Sequence, residues 1–366
     1  MTRFHGHLTL SLAALALVPA LAFAQVPAGY PASYADTIAA AKTEGKVVIY
    51  STTDTAAANF LIKDFQALYP GISVEYNDMN STEVYNRYIG ERAAGGSADV
   101  LWSSSMDLQI KLVTDGNAIA YASPEIPGLP AWAVWKNEAF GTTYEPIAIV
   151  YNKRLLAGDE VPQSHADLMR VFTTKADKLK GKVTTYDIEK SGVGFMLITQ
   201  DSQQNPAFWD FVKALGKIGP RFQSSSGTMM ERISSGENLL GYNIFSSYAA
   251  LRAKRDPSIG IVLPKDYTLV MSRVMFASKG AKHPNAAKLW VDYILSKRGQ
   301  TLIGKEAELG SIRADVEGEM TLAGFTKALG ATLKPIPVSG ELLGFLDQTK
   351  RLEFLKQWQS AIKSGK

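Results

Sequence analysis

The chain contains no cysteine. That absence excludes a disulfide framework, a thiolate-held metal and a thiol nucleophile. Histidine is almost as scarce: beyond His5 and His7 only His165 and His283 occur, the first at an expected helix start and the second in the loop AKHPN. Both are expected at the surface. There is no G-x-S-x-G elbow, no H-E-x-x-H and no glycine-lysine P-loop, and the bare S-x-x-K of "SAIK" lacks its companion motifs. A secreted hydrolase is the weaker reading on these gaps, although carboxylates are plentiful enough for an acid–base pair. No basic block with interleaved aromatics exists either, which argues against nucleic acid as a partner.

Long apolar runs are also few. Leu8 to Val18 is shorter than the roughly 20 residues of a membrane-spanning helix. It follows the weakly basic Arg3, His5 and His7 and precedes Ala22-Phe23-Ala24, a small-x-small cleavage pattern. Residues 1–24 therefore read as a secretory signal peptide cleaved after Ala24. With no cysteine to carry a lipid, the periplasm is the expected compartment. The mature chain would hold 38 basic and 35 acidic residues, a net charge of +3 that selects no partner.

What is present is an ordinary globular composition, 46% hydrophobic over 366 residues, which suits about two domains of roughly 100 to 200 residues. Val47 to Tyr50 reads as a strand, and Leu61, Phe65 and Leu68 then fall at i, i+4 and i+7, the spacing of one buried helical face. "GISVEY" and "ADVLW" supply further strands, and "MDLQIKLVTDG" a helix that Gly116 can stop. After a middle segment rich in Pro and Trp the alternation resumes with "PIAIVYN", "QSHADLMRVF", "KVTTYD" and "NPAFWDFVKALGKIG". Strands alternating with helices predict an α/β fold with parallel βαβ units. The end of the chain reads as helix, with Leu355, Trp358 and Ile362 on one face.

Hydroxyl clusters recur at five strand-to-helix junctions: Ser51-Thr52-Thr53, Ser103-Ser104-Ser105, Ser191-Gly192-Val193-Gly194, Ser224-Ser225-Ser226 and Ser246-Ser247. In parallel α/β sheets such junctions lie beyond the carboxyl ends of the strands, where ligands bind. Ser, Thr and Asp are also preferred helix caps, one hydroxyl contributing about 1 kcal/mol. A cap uses one side chain, however, and several clusters offer two or three. Small hydroxyls beside glycine also leave helix N-terminal N–H groups open to an anion. Arg273 interrupts the apolar run "LVMSRVMFA", which suggests a cleft contact or a structural ion pair. Lys190, Arg221 and Arg313 are weaker cationic candidates. Tyr50, Trp102, Tyr186, Tyr242 and Tyr248 lie near the same junctions as core residues or pocket walls, and Asp54 and Asp187 as caps or acceptors.

The runs "VVIYSTTD", "DFQALYPGISVEY", "ERAAGGSADVLWSSSMDLQ", "IVYNKRLL" and "KSGVG", in that order, resemble the ferric-binding-protein-like branch of type 2 periplasmic solute-binding proteins of ABC importers. The resemblance runs from about Lys46 to about Arg313. It implies two lobes, each a mixed sheet flanked by helices, joined by crossover strands and enclosing a solute. It also implies an ABC permease and its ATPase as partners, no cofactor, no enzymatic activity and a monomer. The expected division is 25–145 for the first lobe, 146–266 for the second, 267–320 for the return to the first and 321–366 for C-terminal helices.

The family's anion-holding turn matches Ser191, Gly192 and Val193, with a second anion contact at Ser225 and Ser226. Where ferric binders place a histidine, a glutamate and paired tyrosines, this chain has about Asp54, Ser104 and the pair Ser246-Ser247. Hydroxyls are poor ligands for a ferric ion, so the implied solute is a small organic anion bearing phosphate, phosphonate or carboxylate. The expected binding residues are Ser51 to Asp54, Ser103 to Ser105, Ser191 to Val193, Ser225, Ser226, Ser246, Ser247, Tyr248 and Arg273. A metal or cation binder of the same fold is the alternative, to be recognised by carboxylates clustered in the cleft.

Overall fold

The structure is a computed structural model that describes residues 26–365. The expected signal segment, residues 1–24, lies outside the described residues. Thirteen strands are present among them: β1 (Lys46–Ser51), β2 (Ser73–Asp78), β3 (Val100–Ser103), β4 (Val134–Trp135), β5 (Ala139–Gly141), β6 (Glu145–Asn152), β7 (Val183–Tyr186), β8 (Arg221–Gln223), β9 (Leu240–Phe245), β10 (Ile259–Val262), β11 (Thr268–Met271), β12 (Val274–Ala277) and β13 (Leu333–Pro335). They form two sheets. The first runs β2-β1-β3-β12-β5-β4; the second runs β13-β11-β6-β9-β7-β8, with β10 also on β6.

Each sheet has a parallel core. β1 pairs in parallel with β2 and β3, and β7 with β8 and β9. The right-handed return from one parallel strand to the next needs a helix, and the sequence supplies amphipathic ones. The helix Phe208–Lys217 buries Phe208, Phe211, Val212 and Leu215, an i, i+3, i+4, i+7 stripe. Each such side chain contributes about 1.5 to 3 kcal/mol on burial. In the first lobe the helices Thr55–Leu68 and Pro284–Leu295 meet through Phe65 and Trp290, whose rings lie 5.0 Å apart edge to face.

The chain passes from the first sheet to the second a last time between β12 and β13; the two earlier crossings, from β5 to β6 and from β11 to β12, run side by side. They are laced together: Thr142 N donates to Arg273 O at 3.0 Å and Arg273 N to Thr143 Oγ1 at 2.9 Å. Because β11 pairs with β6 and β13 in the second sheet, the return to the first lobe begins at Val274 and not at residue 267. The C-terminal part is likewise more than helices. It adds β13 to the second sheet, lays the turn Gly340–Phe345 against the first-lobe helix Met106–Thr114, and docks the helix Gln348–Ser364 on Phe208–Lys217. No helix among the described residues is long and apolar enough to cross a membrane.

Candidate functional site

The carboxyl ends of β1, β2, β3, β7, β8 and β9 converge on one cavity of about 220 Å³ between the lobes. From the first lobe come Thr52 and Asp54 after β1, Asp78 to Ser81 from the end of β2, and Ser104 after β3; from the second come Tyr186 at the end of β7 with Val193 beyond it, Ser224 to Gly227 after β8, and Phe245 at the end of β9 with Tyr248 beyond it. This is where an open α/β sheet binds ligands. The volume is below the roughly 300 to 1,000 Å³ of pockets for drug-sized molecules, which suits a small solute. A wider hollow of about 530 Å³ beside Arg92, Gly95 and Gly96 opens elsewhere on the first lobe and touches none of these junctions.

Of the residues expected at the site, Thr52, Asp54, Ser104, Val193, Ser225, Ser226 and Tyr248 line the cavity. The others lie behind it. Ser51 Oγ accepts from Thr53 N at 3.0 Å, and Ser103 Oγ from Ser105 N at 3.2 Å. Ser105 donates to the buried Asp107 at 2.8 Å, and Ser247 to Glu145 at 2.6 Å. The Ser246 hydroxyl is buried with no partner among the described residues.

Arg273 is not a cleft contact. It is fully buried and its guanidinium is spent on protein: Nε donates to Glu145 Oε1 at 2.8 Å, Nη2 to Glu145 Oε2 at 3.2 Å, and Nη1 to Thr52 O at 3.0 Å and Thr53 Oγ1 at 3.1 Å. Burial alone would pull its pKa down, but Glu145, together with Tyr248 and Asp54, outweighs it and keeps the group charged. The pair sits where both crossover segments pass. It fixes the β1 junction through Thr52 and Thr53 and the β9 junction through Ser247, so Arg273 shapes the cleft without entering it.

The turn Ser191-Gly192-Val193 also departs from expectation, because its N–H groups are already taken. Gly194 N donates to Ser191 Oγ at 3.2 Å, Gly192 N to Thr82 Oγ1 at 3.2 Å and Val193 N to Ser81 Oγ at 3.1 Å. The other helpers are peripheral. Lys190 is exposed and 3.5 Å from Asp187, Arg221 is exposed with its Nε donating to Gly181 O, and Arg313 is held by Asp315 and Glu125. Tyr50, Trp102 and Tyr242 donate to Glu91, Thr142 and Asp201 away from the cavity. His165 is buried rather than superficial, stacked on Tyr267 at 4.0 Å with Nδ1 2.9 Å from Asp266. His283 is partly covered and pairs with Asp99 at 2.8 Å.

The unspent polar groups of the cavity include two sets of opposite character. Ser226 and Gly227 open the helix Ser226–Ser235, and their N–H groups have no acceptor among the described residues, while Ser225 caps Thr228 N at 3.3 Å. Across the cavity, Asp54 and Asp78 each keep one carboxylate oxygen free: Asp54 Oδ1 accepts from Tyr248 at 3.2 Å, and Asp78 Oδ2 accepts from Thr55 N at 2.9 Å. Asp54 opens to solvent on one side, yet crowding by protein pushes its pKa up, against the pull of Arg273 and with a smaller push from Asp78. Thr52 and Ser104 bond each other through their hydroxyls at 3.1 Å, leaving one hydroxyl proton of the pair for a solute. The phenols of Tyr186 and Tyr248 are pushed up by burial and stay neutral.

Sequence reasoning missed Asp78, Met79, Asn80 and Ser81, the junction after β2. The signal was present, since Asn80 followed by Glu83 is a capping-box pattern and the structure forms that box.

This architecture has solved counterparts. The substrate-binding protein of an ABC transporter from Agrobacterium tumefaciens is 39% identical, superposes with a TM-score of 0.83, and the match covers 87% of this chain and 94% of that one. The periplasmic binding protein AfuA from Actinobacillus pleuropneumoniae, solved with exogenous fructose-6-phosphate bound, shares the fold at 22% identity and a TM-score of 0.73, covering 87% and 99% of the two chains. A ferric binding protein from Campylobacter jejuni does so at 20% identity and 0.68, covering 86% and 99%. Residues 60–321 match the family of bacterial extracellular solute-binding proteins, and the chain belongs to that family as the solute-binding component of an ABC transporter.

Proposed function

We propose that this protein captures a small hydroxylated organic anion in the periplasm and delivers it to an ABC permease driven by its ATPase. The observation that carries the reading is the division of the cavity. Ser226 and Gly227, whose N–H groups are unpaired among the described residues at the positive end of a helix dipole, line one side. The free oxygens of Asp54 and Asp78 face the other, and carboxylates accept only from donors such as hydroxyls. A phosphate-, phosphonate- or carboxylate-bearing solute with hydroxyl groups satisfies both sides at once. The sugar phosphate held by AfuA has that chemistry.

Native mass spectrometry of the mature protein from its host tests this directly, because a copurified solute reports its own mass. Calorimetry with fructose 6-phosphate, fructose and inorganic phosphate then separates the contributions of the two ends. An anionic, hydroxyl-bearing solute is expected. The two cleft carboxylates favour one competing reading, an amine or metal cation; a cationic copurified solute, or a coloured ferric complex on titration with ferric citrate, would replace the proposal. Export with cleavage after Ala24 makes Gln25 the N-terminus found by sequencing the mature protein.

A further inference from the structure

Ser81 and Thr82 open the helix Ser81–Ala93, yet their hydroxyls are not needed there. Asn80 caps that helix alone, its Oδ1 accepting from Thr82 N at 3.1 Å and Glu83 N at 3.0 Å while Glu83 Oε2 accepts from Asn80 N. Both hydroxyls instead reach the other lobe. Thr82 Oγ1 donates to Lys190 O at 2.9 Å and accepts from Gly192 N, and Ser81 Oγ accepts from Val193 N. Gly192 and Val193 begin the helix Gly192–Gln204, so these are N–H groups that the helix itself leaves unpaired.

The approach depends on glycine. A Cβ on Gly192 would lie 2.8 Å from Leu108 Cδ1, 2.9 Å from Ser105 Oγ and 3.3 Å from Ser81 Oγ. All three atoms belong to the first lobe, so the crowding exists only when the lobes are together. Every partner in the contact is a protein group, and no solute atom is required to complete it.

We propose that Ser81 and Thr82, seated on the glycine-led helix start at Gly192 and Val193, form a latch that holds a closed population of the two lobes without solute. Ser81 also lines the cavity, so its remaining hydroxyl proton can bond a solute and strengthen the same latch through a shared oxygen. The latch rests on contacts between the lobes and is independent of which solute is bound.

The absence of native cysteine makes the test clean. Lys63→Cys in the helix Thr55–Leu68 and Thr173→Cys in the helix His165–Thr174 place spin labels at exposed positions, one per lobe. Pulsed electron paramagnetic resonance on mature protein, stripped of solute by unfolding and refolding, then reads the interlobe distance. The parent is expected to show a short-distance population. Thr82→Val and Gly192→Ala should each lower the closed-to-open ratio about tenfold, or about 1.4 kcal/mol, and Thr82→Ser should retain it. Thr82→Val leaves the Asn80 cap intact and carries the test by itself if Gly192→Ala folds poorly. A parent with no short-distance population, or the same distribution in Thr82→Val as in the parent, overturns the latch.

Discussion

Two helix starts in the second lobe have nearly the same local chemistry and opposite roles. Ser191 caps Gly194 N at 3.2 Å and Ser225 caps Thr228 N at 3.3 Å, each serine bonding the third N–H of its own helix. At the first, the two preceding N–H groups are taken by Thr82 and Ser81 of the opposite lobe; at the second they belong to cavity-lining residues and have no acceptor among the described residues. A third start, after β3 in the first lobe, brings its own acid. Asp107 Oδ1 accepts from Ser105 Oγ and Leu108 N, both at 2.8 Å. Three serine-led helix ends thus meet a neighbouring lobe, a resident carboxylate and an open cavity. Capping chemistry is local, and availability to a ligand is decided by what folds onto the end.

The largest expected effect comes from filling the open end. Gly227 has ordinary backbone geometry, and a Cβ there would meet only Ser225 Oγ at 3.8 Å. Gly227→Asp should therefore fold, because an acid in the first helical turn is favourable. Its carboxylate would occupy the place proposed for the solute's anionic end. Calorimetry with the copurified solute should show affinity reduced at least a thousandfold, or about 4.1 kcal/mol, with a melting temperature close to the parent's. Unchanged affinity in the folded variant would move the anionic end elsewhere and erase the distinction between the two starts.

The next effect tests the resident acid. Burial pushes Asp107 up to about 6 from its ordinary 3.8, with the Ser105 hydroxyl and the Leu108 N–H opposing the rise; burial lifts Asp292 similarly, to about 6. In both cases the folded state binds the proton more tightly than the unfolded one. The contribution of each to stability then falls as pH rises from about 4 to 6 and levels off above, by at most about 3 kcal/mol for Asp107. Asp107→Asn keeps an acceptor for Ser105 and Leu108 and should flatten that slope in denaturant melts at pH 4, 5, 6 and 7. An unaltered slope would mean that Asp107 titrates in the fold as it does in the unfolded chain and carries no burial shift.

Much of this arrangement is written in the sequence, for reasons that stop at the local scale. β1, β3 and β9 are largely apolar stretches of four to six residues that end in, or run directly into, hydroxyls, and they stand out. β4, β5 and β13 have two or three residues each and exist only because a neighbouring strand is already in place. The hydroxyl clusters identified five of the six junctions. The sixth, after β2, also carries a hydroxyl pair, Ser81-Thr82, but it follows Asn80 in a capping box and reads as an ordinary helix start. Arg273 stood out as a charge in an apolar strand, but its partner Glu145 lies 128 residues away. The same distance problem hides the latch, since nothing near Ser191 records that Ser81 and Thr82 will arrive.

The smallest effect separates the two serine caps most finely. Ser191→Ala and Ser225→Ala each delete one bond to the third N–H of a helix, and each should cost about 1 kcal/mol of stability in denaturant melts. Their consequences for binding should differ. Ser225 borders the cavity, and its loss loosens the turn that presents the Ser226 and Gly227 N–H groups, so affinity should fall severalfold. Ser191 is buried and does not line the cavity, and Gly192 and Val193 remain held by Thr82 and Ser81 when it is lost. Affinity in Ser191→Ala should stay within about twofold of the parent, less than about 0.4 kcal/mol. Equal losses of stability with unequal losses of affinity would show that one chemical device serves folding at Ser191 and capture at Ser225. Equal losses of affinity would mean that the Ser191 start also bears on the solute, and that the protein uses both ends of its second lobe to hold it.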